Sequence, residues 1–364
     1  MQGFPQTEKI IPERAVRGPY VIVDVRSPKE FADGSVPGAI NLPLLDDRQR
    51  AEVGIAYKKE GSRQARFRAV DAVSGGLPFY LRSIETLSQR GRDLVVMCWR
   101  GGERSRNVIL LLGLVGVRAR QMEGGYKAYR RWVLDALADW QPERPVVTLH
   151  GHTGVGKTAV LRALQERAPQ LSAPVPDVLD LEGLALHRGS LLGGLNQPGR
   201  RGQRDFDSMV WERLDSPAAD YWIVEGEGGK IGGTYVPPAV QEMIRNGLPV
   251  LLRDEMHRRV DRILREYAPG EWTEKERENF RSGLEIIGKR ISAEEMLQLR
   301  TDFEDGRFKA VVEKLLVTYY DPLYERSSVG ERKFSLVLDL SGDPDEDGVI
   351  LAEELRPLIQ SWSG

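Results

Sequence analysis

Cysteine is almost missing from this sequence: the 364 residues hold one, Cys98, so no disulfide can form within the chain. That suits a reducing compartment. Long apolar runs are missing as well. Stretches such as residues 108–117 are too short, and too broken by glycine, to span a bilayer as a helix. The first twelve residues show no basic segment leading into an apolar one, so no secretory signal is expected. These absences together predict a cytoplasmic protein with no membrane partner. Net charge is small, −2, which argues against a general nucleic-acid binder. That sum nevertheless hides 52 Lys and Arg, with Arg far commoner, and guanidinium groups make bidentate phosphate contacts. A basic face balanced by acidic helices would give the same total, so charge does not decide the question. What is present is ordinary for a soluble globular protein, 41% hydrophobic and 29% charged residues, and the length asks for two domains.

Strand and helix signals alternate along the chain. Residues 20–26 (YVIVDVR) form an apolar, β-branched run and read as a buried strand. Ser27 and Pro28 then open a short helix over 29–32, with Ser at the cap and Pro in the first turn. A loop over 34–43 holds a short strand at 40–42, and residues 46–90 read as charged and helical. Strands at 93–97 and 119–122 and helices at 104–114 and 126–137 complete a first α/β domain with a parallel sheet, residues 1–140. The polar stretch 141–145, with two prolines, reads as a linker. A second α/β domain, residues 146–364, follows. Its strands are expected at 146–150, 178–181, 221–224, 249–252 and 334–340, with helices at 159–167 and near 351–362. A charged helical segment fills about 255–317.

Cys98 stands where the strand 93–97 ends, followed by Trp99, Arg100, Gly101, Gly102, Glu103, Arg104 and Ser105. A cysteine wrapped by a loop of inward amides, facing a helix N-terminus, favours a thiolate and an anion bound beside it. Two glycines let the backbone curl into such a nest, and Arg100 and Arg104 add positive charge. The ordinary fate of a lone cysteine is a buried structural one. A core position, however, has no need of two Arg and two Gly within six residues. The chemistry is that of a nucleophilic thiolate or a persulfide-type carrier.

Residues 151–158, GHTGVGKT, fit G-x-x-x-x-G-K-[ST] in full, between a predicted strand and a predicted helix. Gly151, Thr153, Gly154, Val155 and Gly156 supply a phosphate cradle, Lys157 reaches a terminal phosphate, and Thr158 reaches a magnesium ion. A partner acid belongs at the tip of another buried strand. Glu225, with Glu227 nearby, is the first candidate; Asp180 or Glu182 is the second, and either acid is equally suited to capping a helix. A P-loop does not by itself name the group transferred. Between these motifs, residues 180–190 and 197–206 are glycine-rich and basic, with too little periodicity for a packed helix. Arg200, Arg201 and Arg204 there suit a phosphate backbone or simply a solvated loop. His187 reads as a loop histidine before a general acid or base.

These residues carry two resemblances. Asp24-Val25-Arg26, Glu30-Phe31, the run 34–41 (GSVPGAIN), the Cys98 loop and Glu123-Gly124-Gly125 together resemble a rhodanese domain. Tyr129 stands where that family ends its G-G-x-x-x-W. The spacing from Cys98 to Arg104 is C-x5-R, one residue longer than the usual rhodanese loop. That spacing is shared by cysteine phosphatases and arsenate reductases and suits a tetrahedral oxyanion. A phosphatase fused to a P-loop kinase or ATPase is therefore the alternative, although Met97 occupies the place where phosphatases carry His.

The order of motifs, rhodanese module, linker, P-loop, LEGLALHRGS and VEGEGGKIGG, resembles the bacterial tRNA 2-selenouridine synthase family over most of residues 10–330. The resemblance implies a transferase acting on tRNA that carries 2-thiouridine at the first anticodon position. The sulfur is geranylated from geranyl diphosphate, then replaced by selenium from selenophosphate. It further implies that Cys98 serves the selenium step, held in the anion loop of Arg100, Gly101, Gly102, Arg104 and Ser105, and that residues 151–158 hold the diphosphate. Whether selenium rests on Cys98 or is taken directly from selenophosphate stays open. No tightly bound cofactor is expected beyond Mg, held by Thr158 and Glu225. Arg188, Arg200, Arg201 and Arg204 are the expected tRNA contacts. The helical segment 255–317, with Arg253, Arg258, Arg259, Arg262 and Arg265, is expected either to grip the anticodon arm or to form a charged solvent face. Glu225-Gly226-Glu227 replaces the family's expected E-S-E.

Overall fold

The computed structural model describes the chain except for residues 1–6, 89–91, 168–173, 188–200, 216–218, 227, 268–271, 327–331 and 362–364. Two compact units emerge, residues 1–137 with 202–212, and residues 138–201 with 213–364.

The first unit is a five-stranded parallel sheet. Its strands are β1 (Lys9–Ile10), β2 (Tyr20–Asp24), β3 (Ile40–Asn41), β4 (Asp93–Met97) and β5 (Ala119–Met122), in the order β1-β5-β4-β2-β3. Central β4 buries Leu94 through Met97 completely, as a parallel strand covered on both faces must. Val23, Val25, Ile84, Val108 and Leu112 share its core cluster. The helix Pro28–Ala32 starts as predicted, with the Ser27 hydroxyl accepting the Glu30 N–H and Glu30 capping in return.

Strand β2 stops at Asp24, two residues short of the expected end, because Arg26 folds back onto Asp24. Its backbone N–H reaches Asp24 Oδ1 at 3.0 Å and its Nη2 reaches Oδ2 at 2.6 Å, with both side chains fully buried. The same guanidinium donates to the carbonyls of Glu30 (2.9 Å) and Gly34 (2.8 Å) and lies 4.0 Å from the Tyr126 ring centroid. Removing one partner of such a pair costs about 3–5 kcal/mol.

The second unit holds β6 (Val146–His150), β7 (Pro176–Leu179), β8 (Tyr221–Glu225), β9 (Lys230–Ile231), β10 (Thr234–Tyr235), β11 (Leu248–Arg253) and β12 (Leu336–Asp339). Five of these form a parallel sheet in the order β12-β11-β6-β8-β7, while β9 and β10 make a separate antiparallel pair. That pair went unpredicted because two-residue strands carry no periodicity. The charged segment after β11 is helical, as expected, with its own aromatic core. Phe280 stacks on Phe303 at 4.6 Å, and Trp272 on Phe308 at 5.3 Å. No described helix is long and apolar enough to cross a membrane.

One reading of the sequence is corrected. Residues 197–206 read as aperiodic loop, yet from Gln203 the chain is a helix, Gln203–Asp215, with Phe206, Val210 and Leu214 buried at spacing four. The apolar stripe begins only at Phe206, so the Gly-Arg run before it conceals the helix. Residues 202–212 also belong to the first unit, not to the second domain in which their position had placed them. Asp205 accepts the Ser35 N–H at 2.8 Å, Asp207 pairs with Arg130, and Trp211 meets Trp132 edge-on at 5.7 Å.

Phe206 in this segment is fully buried. Phe206→Ala is expected to destabilise the first unit by about 3–5 kcal/mol, read as a lower midpoint in chemical denaturation. An unchanged midpoint would show that residues 202–212 are not part of it.

Candidate functional site

Strand β4 delivers Cys98 to the C-terminal end of the sheet, and the helix Glu103–Leu114 starts five residues later. Cys98 is buried, 3% exposed. The Gly102 N–H reaches its Sγ at 3.3 Å, and Ser105 Oγ lies at the same distance. Four of the loop carbonyls are claimed from outside. Tyr126 and Lys127 N–H groups donate to Cys98 O and Trp99 O, each at 2.9 Å. Gln121 Nε2 donates to Gly101 O (2.9 Å) and Gly102 O (3.1 Å), and also to Ser105 Oγ (2.9 Å).

In a planar trans peptide the C=O of one residue and the N–H of the next point opposite ways. Four outward carbonyls therefore turn the amides of Trp99, Arg100, Gly102 and Glu103 inward, a nest for an anion beside the sulfur. Gly125 makes the packing possible: at φ +58° it lies so close that a Cβ would stand 2.1 Å from Cys98 O.

Arg100 is exposed at the rim. Arg104 is fixed by Glu30 through two hydrogen bonds, 2.6 and 3.0 Å. Burial works against the Arg104 charge, but the Glu30 carboxylate outweighs it, with smaller help from Cys98 and Asp24, and the guanidinium is held above its ordinary range. Arg104 thus lies within electrostatic reach of Cys98 while committed to Glu30. Gln121 and Glu30 were missed as site residues. The one available signal was a glutamine inside the short strand ARQM, where only a hydrogen-bonding task explains a buried amide.

The second loop lies between β6 and the helix Lys157–Arg167. Its carbonyls are engaged as well, two from within the loop and two by remote arginines. Lys157 Nζ donates to Gly151 O (3.0 Å), Val155 N–H to His152 O (3.1 Å), Arg259 Nε to Thr153 O (3.0 Å) and Arg262 Nη1 to Gly154 O (2.5 Å). Thr158 Oγ1 donates to Glu225 Oε1 at 2.7 Å and lies 3.4 Å from Glu182 Oε2. Glu225, the tip of β8, is fully buried. Three oxygen donors therefore converge, a set that suits Mg2+. No group of three His, Cys, Asp or Glu side chains placed to hold a metal occurs among the described residues.

Asp180 is not part of this cluster. It caps the helix Leu181–Ala185 through the Gly183 N–H at 2.7 Å, leaving Glu182 to face Thr158. The Tyr324 hydroxyl accepts the Gly151 N–H at 2.9 Å, and its ring centroid lies 5.5 Å from Lys157 Nζ. Beneath the loop, His150 is pushed down to about 4 by burial, then by Arg332 and Lys157. It is therefore neutral, and its Nε2 accepts from Arg332 Nη1 at 2.8 Å. Gly226 faces this ring: a Cβ there would stand 2.6 Å from His150 Cε1, which accounts for glycine in the tripeptide 225–227.

The arginines expected on RNA are dispersed. Arg188, Arg200 and Glu227 lie outside the described residues. Arg201 donates to the Leu184 carbonyl in the second unit. Arg204 belongs to the first unit, exposed, 5.8 Å from the Trp99 ring. Arg259 and Arg262 do not form a solvent face. They are buried against the P-loop and paired with Asp321 and Asp254. Arg258 also pairs with Asp254.

Fold and loops together define a rhodanese-like domain joined to a P-loop domain, each with an anion cradle at a strand end. The family described as tRNA 2-selenouridine synthase AAA domain matches residues 144–339, and the rhodanese-like domain family matches residues 11–131. The tRNA 2-selenouridine synthases of Nitrosomonas europaea, Nitrosomonas eutropha and Cupriavidus pinatubonensis are 30%, 29% and 32% identical to it. Each alignment covers 83% of this chain and 87–88% of the relative. The chain belongs to the tRNA 2-selenouridine synthase family.

Gln121 is buried and holds two loop carbonyls at once. Gln121→Leu is expected to lower the stability of the first unit by about 1–3 kcal/mol and to slow alkylation of Cys98 by iodoacetate, an anionic reagent, more than by neutral iodoacetamide. Equal slowing of the two reagents would mean that the loop does not select anions.

Proposed function

We propose that this protein forms 2-selenouridine from 2-thiouridine at the first anticodon position of tRNA, in two transfers served by its two loops. The observation that carries the reading is the pairing, in one chain of this family, of a cysteine inside an amide nest with a complete P-loop. In the first transfer the thiouridine sulfur attacks C1 of geranyl diphosphate, the carbon–oxygen bond breaks, and diphosphate leaves. The inward amides of residues 151–158 and the Lys157 ammonium would bind the departing diphosphate and stabilise its growing charge. Held by the Thr158 hydroxyl and Glu225, Mg2+ would supply further charge neutralisation there.

S-geranylation turns the C2 sulfur into a better leaving group. In the second transfer the selenium of selenophosphate attacks C2, geranylthiolate departs, and hydrolysis of the phosphorus–selenium bond releases phosphate. The four inward amides of the Cys98 loop suit the tetrahedral oxyanion of selenophosphate, and one of them, the Gly102 N–H, reaches Cys98 Sγ. The C-x5-R spacing serves this donor as well as it would a phosphate ester, so a phosphatase is not needed to explain it.

The test supplies 2-thiouridine-containing tRNA, geranyl diphosphate, selenophosphate and Mg2+, and weighs the nucleosides after digestion. Cys98→Ala is expected to accumulate geranylated thiouridine with no selenouridine. Lys157→Ala is expected to lower geranylation by about two orders of magnitude, as loss of one charge-stabilising donor does. Absence of both products from the unmodified protein would end this reading.

A further inference from the structure

The segment between β3 and β4 of the first unit places three helices, Asp47–Lys59, Ser62–Ser74 and Leu77–Ser88, beside the Cys98 loop. The first two pack against each other in an inverted way. Each buries one residue, Ala56 in the first and Ala65 in the second, while the large apolar side chains point outward. Tyr57 is 62% exposed, Phe67 57%, Val70 60% and, on the third helix, Phe79 78%. A helix pair that needed these groups for its own core would turn them inward and leave alanine outside. Exposed groups of this size in one region mark a binding surface.

Charge is interleaved with the rings. The two helices carry seven Lys or Arg against three Asp or Glu, while the whole chain sums to −2. Arg63, Phe67 and Val70 follow at spacings of four and three and share one face. Lys58, Lys59 and Arg63 are exposed and make no ion pair among the described residues. Two other cations anchor the pair to the Cys98 loop. Arg66 pairs with Glu103, the first residue of the helix behind the loop, and Arg50 lies 3.6 Å from Glu30, the carboxylate that grips Arg104.

We infer that this helical pair is the platform for the unpaired bases of the tRNA anticodon loop, with Phe67 as a stacking ring and Lys58, Lys59 and Arg63 on the phosphates. The inference rests on the tRNA substrate proposed above and names the surface that presents it to Cys98. Rings alternating with uncompensated cations suit single-stranded nucleic acid, whose bases stack on aromatics while its backbone needs neutralising. A protein partner would call for a continuous apolar face with few charges at its centre.

The experiment titrates the full-length protein into a fluorescently labelled anticodon stem-loop RNA carrying 2-thiouridine. Phe67→Ala is expected to weaken binding roughly 5- to 100-fold, the range for losing one base stack, without change in thermal midpoint. Phe67→Trp, which keeps a ring, is expected to bind within about twofold of the unmodified protein. Arg63→Glu is expected to weaken binding and flatten its salt dependence. Unchanged affinity in Phe67→Ala, with the unmodified protein binding tightly, would overturn the platform and leave the proposed reaction standing. Failure of the unmodified protein to bind the stem-loop at all would count against the reaction itself. Self-association that Phe67→Ala abolishes, with RNA affinity intact, would assign the surface to a second copy of the chain and overturn the inference.

Discussion

A peptide unit turns its N–H inward only if its carbonyl finds a partner on the other side, and both loops of this protein are shaped by that constraint. Around Cys98 the partners are the amides of Tyr126 and Lys127 and the side-chain amide of Gln121. Around residues 151–158 they are Lys157, Val155, Arg259 and Arg262. The donors differ: around Cys98 they are neutral amides from outside the loop, and around residues 151–158 they are mostly charged and partly from the loop itself. The remaining charges follow from it. Asp254 and Asp321 hold the arginines that hold the P-loop, and Glu30 fixes Arg104 at the cysteine loop. An arginine committed to a carboxylate contributes placement more than net charge, so selectivity for an anion falls to the amides.

The strands that deliver both loops were legible because each is a continuous apolar run bounded by punctuation. Thus β4, β5 and β6 fall where residues 93–97, 119–122 and 146–150 were read. The cysteine loop and P-loop were legible because their chemistry lies in contiguous residues. The supporting shell was not, since its members are remote in sequence. Gln121 reaches back 20 residues to Gly101, and Arg259 reaches back 106 to Thr153. Arg259 and Arg262 read as a basic face because spacing alone cannot tell a guanidinium in water from one beneath a phosphate loop. Asp180 and Glu182 differ by two positions, and only the cap at Gly183 decides which faces Thr158. The helix Gln203–Asp215 was hidden by the glycines and arginines at its start.

Two cradles in one chain suit a reaction with two different anions. The P-loop offers a lysine and a Thr158–Glu225 pair, fit for a diphosphate with its metal. The cysteine loop offers neutral amides around a buried sulfur, fit for a single tetrahedral group. Between β3 and β4, two helices with exposed rings and cations are tied to the cysteine loop through Arg66–Glu103 and Arg50–Glu30, the surface proposed above to present the nucleoside. On this account the chemistry divides cleanly: the first loop needs no diphosphate, and the second needs no cysteine.

That division is tested most directly by giving Lys157→Ala protein tRNA that already carries S-geranyl-2-thiouridine, together with selenophosphate, and following selenouridine by mass. The account predicts selenouridine at the rate of the unmodified protein, since the P-loop step has been bypassed. Selenium incorporation that fails in Lys157→Ala, although the fold and tRNA binding are intact, would contradict it.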